Sequence, residues 1–512
     1  MRLSLHKILL LSVIFTCDAC FVAIPAVGGM VLPGMMGLSS FVDPASKSLS
    51  RSKPQDVHDE PAVGTDSEVP EIMNELVSGK RLDISSTLSD DLDGSDETLA
   101  RFERGRLAQI QGEPAVSVSE FEHAIQNVKD FDERAHISAR EVGAQAAAVL
   151  INDNLIPYEP SGFERVLAYH FQALNYLMEG KVEEAGVEVR RANLEQELAL
   201  KAHETELAEA EEAAQKKGFK TADLQAELFK GLGDSRQVAA QAKNSFQNAY
   251  TFYMSGIVHE VIQEPNDAYI DYKKALEIAP TNTVIQRDVA RLAKALSMND
   301  DIGRYSKQFP NAFLETKTID KEKSEVIVLF EDGVVPGKQA MWLPIPIPIP
   351  NAPGLTSIAI PTFRASVAPI HPLTLQDGSG TIAKSERICS IDALAVKAYE
   401  EGAPAMITRQ VIRAALKGAA SSLASQYTGG LAGIAVSALG VATEIADTRS
   451  WRSLPQNAQV MRARVKPGAT LTFAHDGSGA SGTLAVPNDP GKLVVIRAIR
   501  LGSKLFLTSV TL

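Results

Sequence analysis

The chain has 512 residues, of which 45% are hydrophobic and 22% charged, and its formal net charge is −12. That length allows two or three domains with a substantial core, in a composition ordinary for a globular protein. An acidic surface repels phosphate backbones and no Lys/Arg cluster offsets it, which excludes nucleic acid as a partner.

Arg2, His6 and Lys7 form a short basic stretch ahead of the apolar run Ile8 to Phe15. Such a run is too short to span a bilayer, which takes about 20 residues, so residues 1–20 are expected to be an export signal. Cleavage after Ala19 leaves Cys20 at the new amino terminus, where bacterial lipoproteins carry their lipid. Cys17, with Ile14 in the aliphatic place, is the second candidate. Asp18 and Phe15 depart from the small residues usual before such a cysteine. An uncleaved anchor running on to Leu38 is the competing reading, and Pro25, Pro33 and the glycines stand against it. Residues 21–97 then read as a flexible acidic tether, most extreme at Ser89–Asp96, with a short helix around Glu71–Val77.

From residue 98 to about 300 the chain is rich in Ala, Leu, Glu and Gln, with apolar residues at helical spacing. One unit, Ala249–Asn282, opens on Phe252 and has Gly256 as its small crossing residue. Ala268, Tyr272 and Ala275 follow as a small-bulky-small set, and Pro280 closes it. A second unit from Val166 carries Tyr169, Ala173, Tyr176, Gly180, Ala185, Val189 and Ala192. A third, from Thr98, carries Gly105, Gly112, Phe121 and Ala124, with Arg101 where an aromatic is expected. The last two start 68 residues apart, two lengths of about 34 residues, leaving Asp132–Arg165 as a degenerate unit. Arg190–Lys217 reads as a long helix continuing the second unit. All three units resemble tetratricopeptide repeats; a non-repeat helical bundle is the competing reading.

Stacked repeat pairs leave a concave surface lined by the first helix of each pair. By repeat position that groove carries Phe102, Arg106, His170, Leu174, Met178, Tyr253, Ile257 and Val261. Apolar and aromatic groove residues suit a partner peptide or helix. The alternative is that some of them pack against the chain's own long helix or β domain.

A β-rich domain is expected over 324–512, opening with Glu325–Phe330. In Leu343–Pro350, alternate prolines strip the N–H donors from one side of a strand, as suits a sheet edge; a polyproline-type ligand is the other reading. Two Asp-Gly-Ser-Gly turns, Asp377–Gly380 and Asp476–Gly479, read as hairpins, and Lys492–Arg497 and Lys504–Val510 complete an antiparallel sandwich or curled sheet. A helical insertion falls at about 404–446. It has no charge from Gly418 to Thr443, which fits a buried helical hairpin turning at Tyr427–Gly430 or, alternatively, a membrane-associated or pore-associated segment over 404–443. The fold class is therefore α+β multidomain: an N-terminal tetratricopeptide-like α-solenoid, then an antiparallel β-rich domain with an inserted helical hairpin.

No zinc-protease, phosphate-loop or nucleophile-elbow pattern occurs, and the helical histidines are not spaced as metal ligands. No catalytic residue, metal or cofactor is expected, and Cys389 reads as a buried structural thiol. The segments Arg101–Arg106, Tyr158-Glu-Pro, Arg190-Arg-Ala-Asn, Glu331-Asp-Gly and Asp447–Trp451 resemble a poorly characterised family of bacterial tetratricopeptide-repeat lipoproteins. The resemblance implies a non-catalytic scaffold or assembly factor of the cell envelope, facing the periplasm, membrane-anchored through its lipid and binding a protein partner.

Overall fold

The computed structural model describes residues 65–138, 157–216, 229, 232–315, 322–349, 352–428 and 446–512. The expected export signal, with Cys17 and Cys20, and the first part of the expected tether lie outside them. Residues 57–512 form one compact unit.

Helices come first. α1 (Thr65–Ser78) precedes α2 (Glu97–Gln111), which ends where Gly112 takes a left-handed φ of 78° that costs other residues more. α3 (Pro114–Ser138) returns along it, and Gly105 lies against the ring of Phe121. α4 (Gly162–Met178) and the long α5 (Val182–Lys216) make the second pair. At the start of α4 the Glu164 carboxylate accepts from the Ser161 N–H and hydroxyl, each at 2.8 Å. A short α6 (Ser235–Ala239) leads to the third pair, α7 (Ala249–Val261) and α8 (Pro265–Ile278). The Asn248 side chain caps α7, and Pro265 opens α8, where a missing N–H costs nothing. α9 (Thr283–Ala295), α10 (Asn299–Gln308) and α11 (Pro310–Glu315) finish the series.

Three groups of strands follow. β1 (Ser324–Asp332), β6 (Glu386–Ser390), β7 (Asn457–Val465), β10 (Leu493–Leu501) and β11 (Lys504–Thr511) form a five-stranded sheet in the order β11-β10-β1-β7-β6. β4 (Leu373–Asp377), β5 (Gly380–Lys384), β8 (Thr470–His475) and β9 (Ser481–Ala485) form a second sheet, closed by the two Asp-Gly-Ser-Gly turns. β2 (Lys338–Ile349) and β3 (Ala352–Phe363) form a two-stranded ribbon. Pro344 pairs with Ser357 and Pro346 with Leu355, so the prolines occupy the positions that exchange no ladder bonds and their missing donors fall on the outer edge. α12 (Ile391–Thr428) lies between the sheets' strands in sequence.

The alternation of side chains along β1 explains the layering. Val326, Val328 and Phe330 point into a core shared with Leu373, Leu375 and Phe473 of the second sheet. Ile327 and Leu329 point the other way, into one core with Phe102, Phe171, Tyr250 and Tyr253 of the helices. A strand covered on both faces reads as a continuous apolar run, which Glu325–Phe330 is.

Four expectations need correction. β1 and β10 run parallel, so the main sheet is mixed rather than antiparallel; chain between them crosses over through the second sheet and α12. Helices and sheet share a single core instead of forming separate domains. The latter part of the tether is packed: Val69, Met73 and Leu76 of α1, with Leu82, Ile84 and Leu88, cover the outer face of α2. Finally, the expected groove is filled. Phe102, Arg106, His170, Leu174, Tyr253 and Ile257 are buried, and Met178 and Val261 are half-buried. The chain's own sheet supplies the apolar surface that the helix pairs need.

Tyr427 and Thr428 of the expected turn are still helical, at the end of α12; the rest of that turn and the expected second arm, 429–445, lie outside the described residues, as does most of the helix expected over Ile137–Ile151. Among the described residues no helix is long and apolar enough to cross a membrane.

Candidate functional site

Two of the expected groove residues, Arg106 and His170, lie at a buried ionic seam. Arg106 of α2 donates to Glu331 of β1 at 2.8 Å, and Arg497 of β10 donates to both oxygens of the same carboxylate at 3.0 Å. Gln109 accepts from both guanidiniums, at 2.7 and 2.8 Å, and the Tyr250 hydroxyl donates to Glu331 at 3.3 Å. Burial alone would raise the Glu331 carboxyl, but the two arginines outweigh it and hold the group at about 2. Burial drives Arg106 down to about 10 and His170 down to about 3. Both ring nitrogens of His170 lack a partner, and its ring sits 4.4 Å from that of Tyr250. A second seam joins Arg462 of β7 to Glu260 at 3.1 Å, Asp288 at 2.9 Å and Glu325 at 2.9 Å, and Tyr253 donates to Asp288 at 2.8 Å. These seams fasten helices to sheet; they leave no room for a partner.

The segment after the helical insertion is clasped in the same way. Trp451 stacks on Phe102 with ring centroids 4.5 Å apart, and the Glu103 carboxylate accepts the backbone N–H groups of Arg452 and Ser453 at 2.5 and 3.1 Å. Arg449 binds Asp96 at 2.9 Å and Asp447 at 2.7 Å.

Catalytic groupings do not assemble among the described residues. Ser255 donates to Asp271 at 2.5 Å, so its hydroxyl proton faces a carboxylate and not His259. His259, Glu264 and Asp267 bring three potential ligand atoms within 4.8 Å of one another. Arg190, however, already binds both oxygens of Glu264 at 2.9 Å, and His259 donates to that carboxylate at 2.8 Å. The arrangement is satisfied as it stands. Cys389 is buried, and burial pushes its thiol up to about 12, far from thiolate chemistry.

One open feature among the described residues is a cleft of about 680 Å³ between α4–α5 and α12. On α5, Glu195, Leu198, Ala202 and Glu206 recur at helical spacing and form one wall. On α12, Tyr399, Met406 and Arg409 form the opposite wall, and Asp447–Trp451 with Lys338 close the floor. Leu198 is 46% exposed, and Leu194 one turn before it is 53% exposed, an unusual apolar stripe for an Ala/Glu-rich helix. Glu159 is an exposed residue of the cleft lining; desolvation by the protein around it raises its carboxyl, Arg165 and Arg409 oppose that, and Glu206 and Asp132 add weaker repulsion. Tyr158-Glu-Pro and Asp447–Trp451 stood out in the sequence only for the family they resemble, and the cleft residues of α5 and α12 were not picked out. The alternation of apolar and acidic residues along Arg190–Lys217 was the signal, but it reads equally as a solvated face.

No family model matches the chain, and no curated protein matches it. Among solved structures, one titled "Crystal structure of MamA" is similar at 11% identity and a TM-score of 0.27, over 49% of this chain and 95% of that one. Similarity of that degree decides neither fold nor function here.

Proposed function

We propose that the chain is a non-catalytic protein-interaction scaffold of the bacterial cell envelope, and that its partner docks in the cleft between α5 and α12. The exposed Leu194–Leu198 stripe running into that cleft carries the reading, because a stable helix gains nothing from apolar side chains in water unless something covers them. The expected groove is not available, so the contact moves to the outer side of the second helix pair. The export signal at residues 1–20 supports placing the protein on the periplasmic side of a membrane, held by a lipid on Cys20 or Cys17.

Crosslinking in the native envelope followed by affinity capture tests the reading. Leu198→Asp and Met406→Asp should each abolish recovery of a partner that the unaltered chain recovers, while leaving the circular dichroism spectrum unchanged. Full recovery with both variants would sink the proposal. Labelling with a palmitate analogue, compared between Cys20→Ala and Cys17→Ala, tests the anchor.

A further inference from the structure

A strand at a sheet edge turns alternate N–H and C=O groups outward, where another strand can take them. Most edges among the described residues are blunted against this. On the β2–β3 ribbon, Pro344, Pro346, Pro348, Pro353 and Pro361 remove outward donors. β6 has five residues, carries Glu386 and Arg387, and is broken by a register shift between Arg387 and Cys389. β5 is equally short, ends on Lys384 and faces a shift between Leu375 and Gln376. β9 has five residues with Gly482 inside it. β11 has none of these devices. Its eight residues keep one register with β10, and neither proline nor charge occurs from Leu505 to Leu512.

The ladder fixes which groups of β11 point outward. Leu493 and Leu512 exchange both backbone bonds, at 3.3 and 2.8 Å. Counting back in twos, Leu505, Leu507, Ser509 and Thr511 occupy the alternate positions, whose backbone groups face away from β10. Among the described residues no hydrogen bond reaches those outward groups. Phe506 packs with the helices, and Leu505 and Leu507 pack with the second sheet. Both faces of the strand are therefore engaged, and the outward row of N–H and C=O groups is what lacks a partner. Ser509 and Thr511 are exposed.

We infer that β11 pairs with β11 of a second copy of this chain, antiparallel about a two-fold axis at Thr508, so that one sheet runs through both copies. The strand's own sequence selects this occupant. With Thr508 opposite its mate, Leu505 meets Thr511 of the second copy and Leu507 meets Ser509. Each of those pairs exchanges both backbone bonds, so every outward group is satisfied. Moving the axis to Leu507 or Ser509 leaves Thr511 or Leu505 without a mate in the strand. On the helix side, Phe506 lies opposite Val510 and Thr508 opposite Thr508, an aromatic–β-branched pair and a Thr–Thr pair of the kinds that stabilise antiparallel sheets. No charge meets its like. Two identical patches related in this way close at two copies and do not propagate. No residue of β11 lines the cleft, so the pairing stands apart from docking there.

The test uses the full chain with Cys17→Ser and Cys20→Ser, which keeps lipid off and leaves the buried Cys389 as the remaining thiol. Sedimentation equilibrium should give twice the single-chain mass of 55.0 kDa across the micromolar range. Ser509→Pro removes an outward donor and no bond to β10; Ser509→Lys sets like charges near each other across the axis. Each should raise the dissociation constant by at least about tenfold, so that single chains appear in that range, with an unchanged circular dichroism spectrum. Ser509→Thr keeps the donor and should stay a dimer. The register has its own readout. Cα atoms facing each other at a position without ladder bonds lie about 4.5 Å apart, within reach of a disulfide. Thr508→Cys should therefore link two copies under mild oxidation, and Val510→Cys should not. Single-chain mass throughout, a dimer indifferent to both Ser509→Pro and Ser509→Lys, or linkage through Val510→Cys in place of Thr508→Cys would each overturn the inference. Slow hydrogen exchange at the Leu507 and Ser509 amides of a single chain would also overturn it, by assigning the edge to another segment of the same copy.

Discussion

Arg106 and Glu331 lie 225 residues apart in the chain and meet at 2.8 Å in an environment that excludes water. Glu331 is the only carboxylate those contacts give to Arg106, and it serves Arg497 as well. Replacing Glu331 with Ala strands two buried guanidiniums, a loss of about 3–5 kcal/mol by analogy with broken buried pairs. Equilibrium unfolding in denaturant should show a midpoint lowered accordingly. A midpoint within error of the unaltered chain contradicts the view that this seam joins helices to sheet.

Acid should loosen the same seam in two stages. His170 has a folded value of about 3 against an ordinary 6.5, because burial disfavours the imidazolium. The unfolded chain therefore binds the proton first, and stability falls as pH drops below 6.5, by about 2 kcal/mol at pH 5. Glu331 has a folded value of about 2 against 4.5, so its contribution is present above 4.5 and disappears as pH falls towards 2. His170→Phe keeps a ring beside Tyr250 and removes the first stage alone. Unfolding at pH 7 and pH 5 should differ by about 2 kcal/mol less in this variant than in the unaltered chain. Equal differences would show that the His170 ring does not stay neutral.

How far the sequence reveals this fold depends on the range of the contacts. Gly256, Tyr272 and Pro280 were readable because paired neighbouring helices impose local rules on size and spacing. The prolines of Leu343–Pro350 and the Asp-Gly-Ser-Gly turns were readable because backbone donors and φ values are properties of single residues. The filling of the groove was not readable, since it depends on a sheet arriving from more than two hundred residues away. A clue existed: Glu331 and Arg497 interrupt apolar strands, and Arg106 and Gln109 interrupt the helix face they meet. Charged residues inside otherwise buried runs call for partners of opposite sign. The cleft stayed hidden for a different reason, because its walls come from α5 and α12, which no local pattern links.

The ribbon edge offers a third test. Pro344, Pro346 and Pro348 leave the outer side of β2 without N–H donors, which keeps it from pairing with another strand. Pro344→Val/Pro346→Val/Pro348→Val restores three donors there and raises β propensity. Light scattering should then show concentration-dependent association absent from the unaltered chain. A variant that remains at its original size over the same range would place the edge's protection elsewhere.

Gly256 gives the sharpest packing test. A Cβ built on it would stand 2.5 Å from the Tyr272 ring, well inside contact distance. That ring has little freedom to withdraw: its hydroxyl donates to Glu260 at 2.6 Å, and Glu260 is itself held by Arg291 at 2.7 Å and Arg462 at 3.1 Å. Helix propensity favours Ala over Gly by about 1 kcal/mol, but overpacking costs about 1–3 kcal/mol and here disturbs an ionic seam as well. Gly256→Ala should therefore destabilise the chain. Gly303 in α10 has nothing within 4 Å of its Cβ position, so Gly303→Ala carries only the propensity term and should stabilise by about 0.5–1 kcal/mol. If thermal unfolding shifts both variants in the same direction, the close crossing of α7 and α8 is not what Gly256 provides.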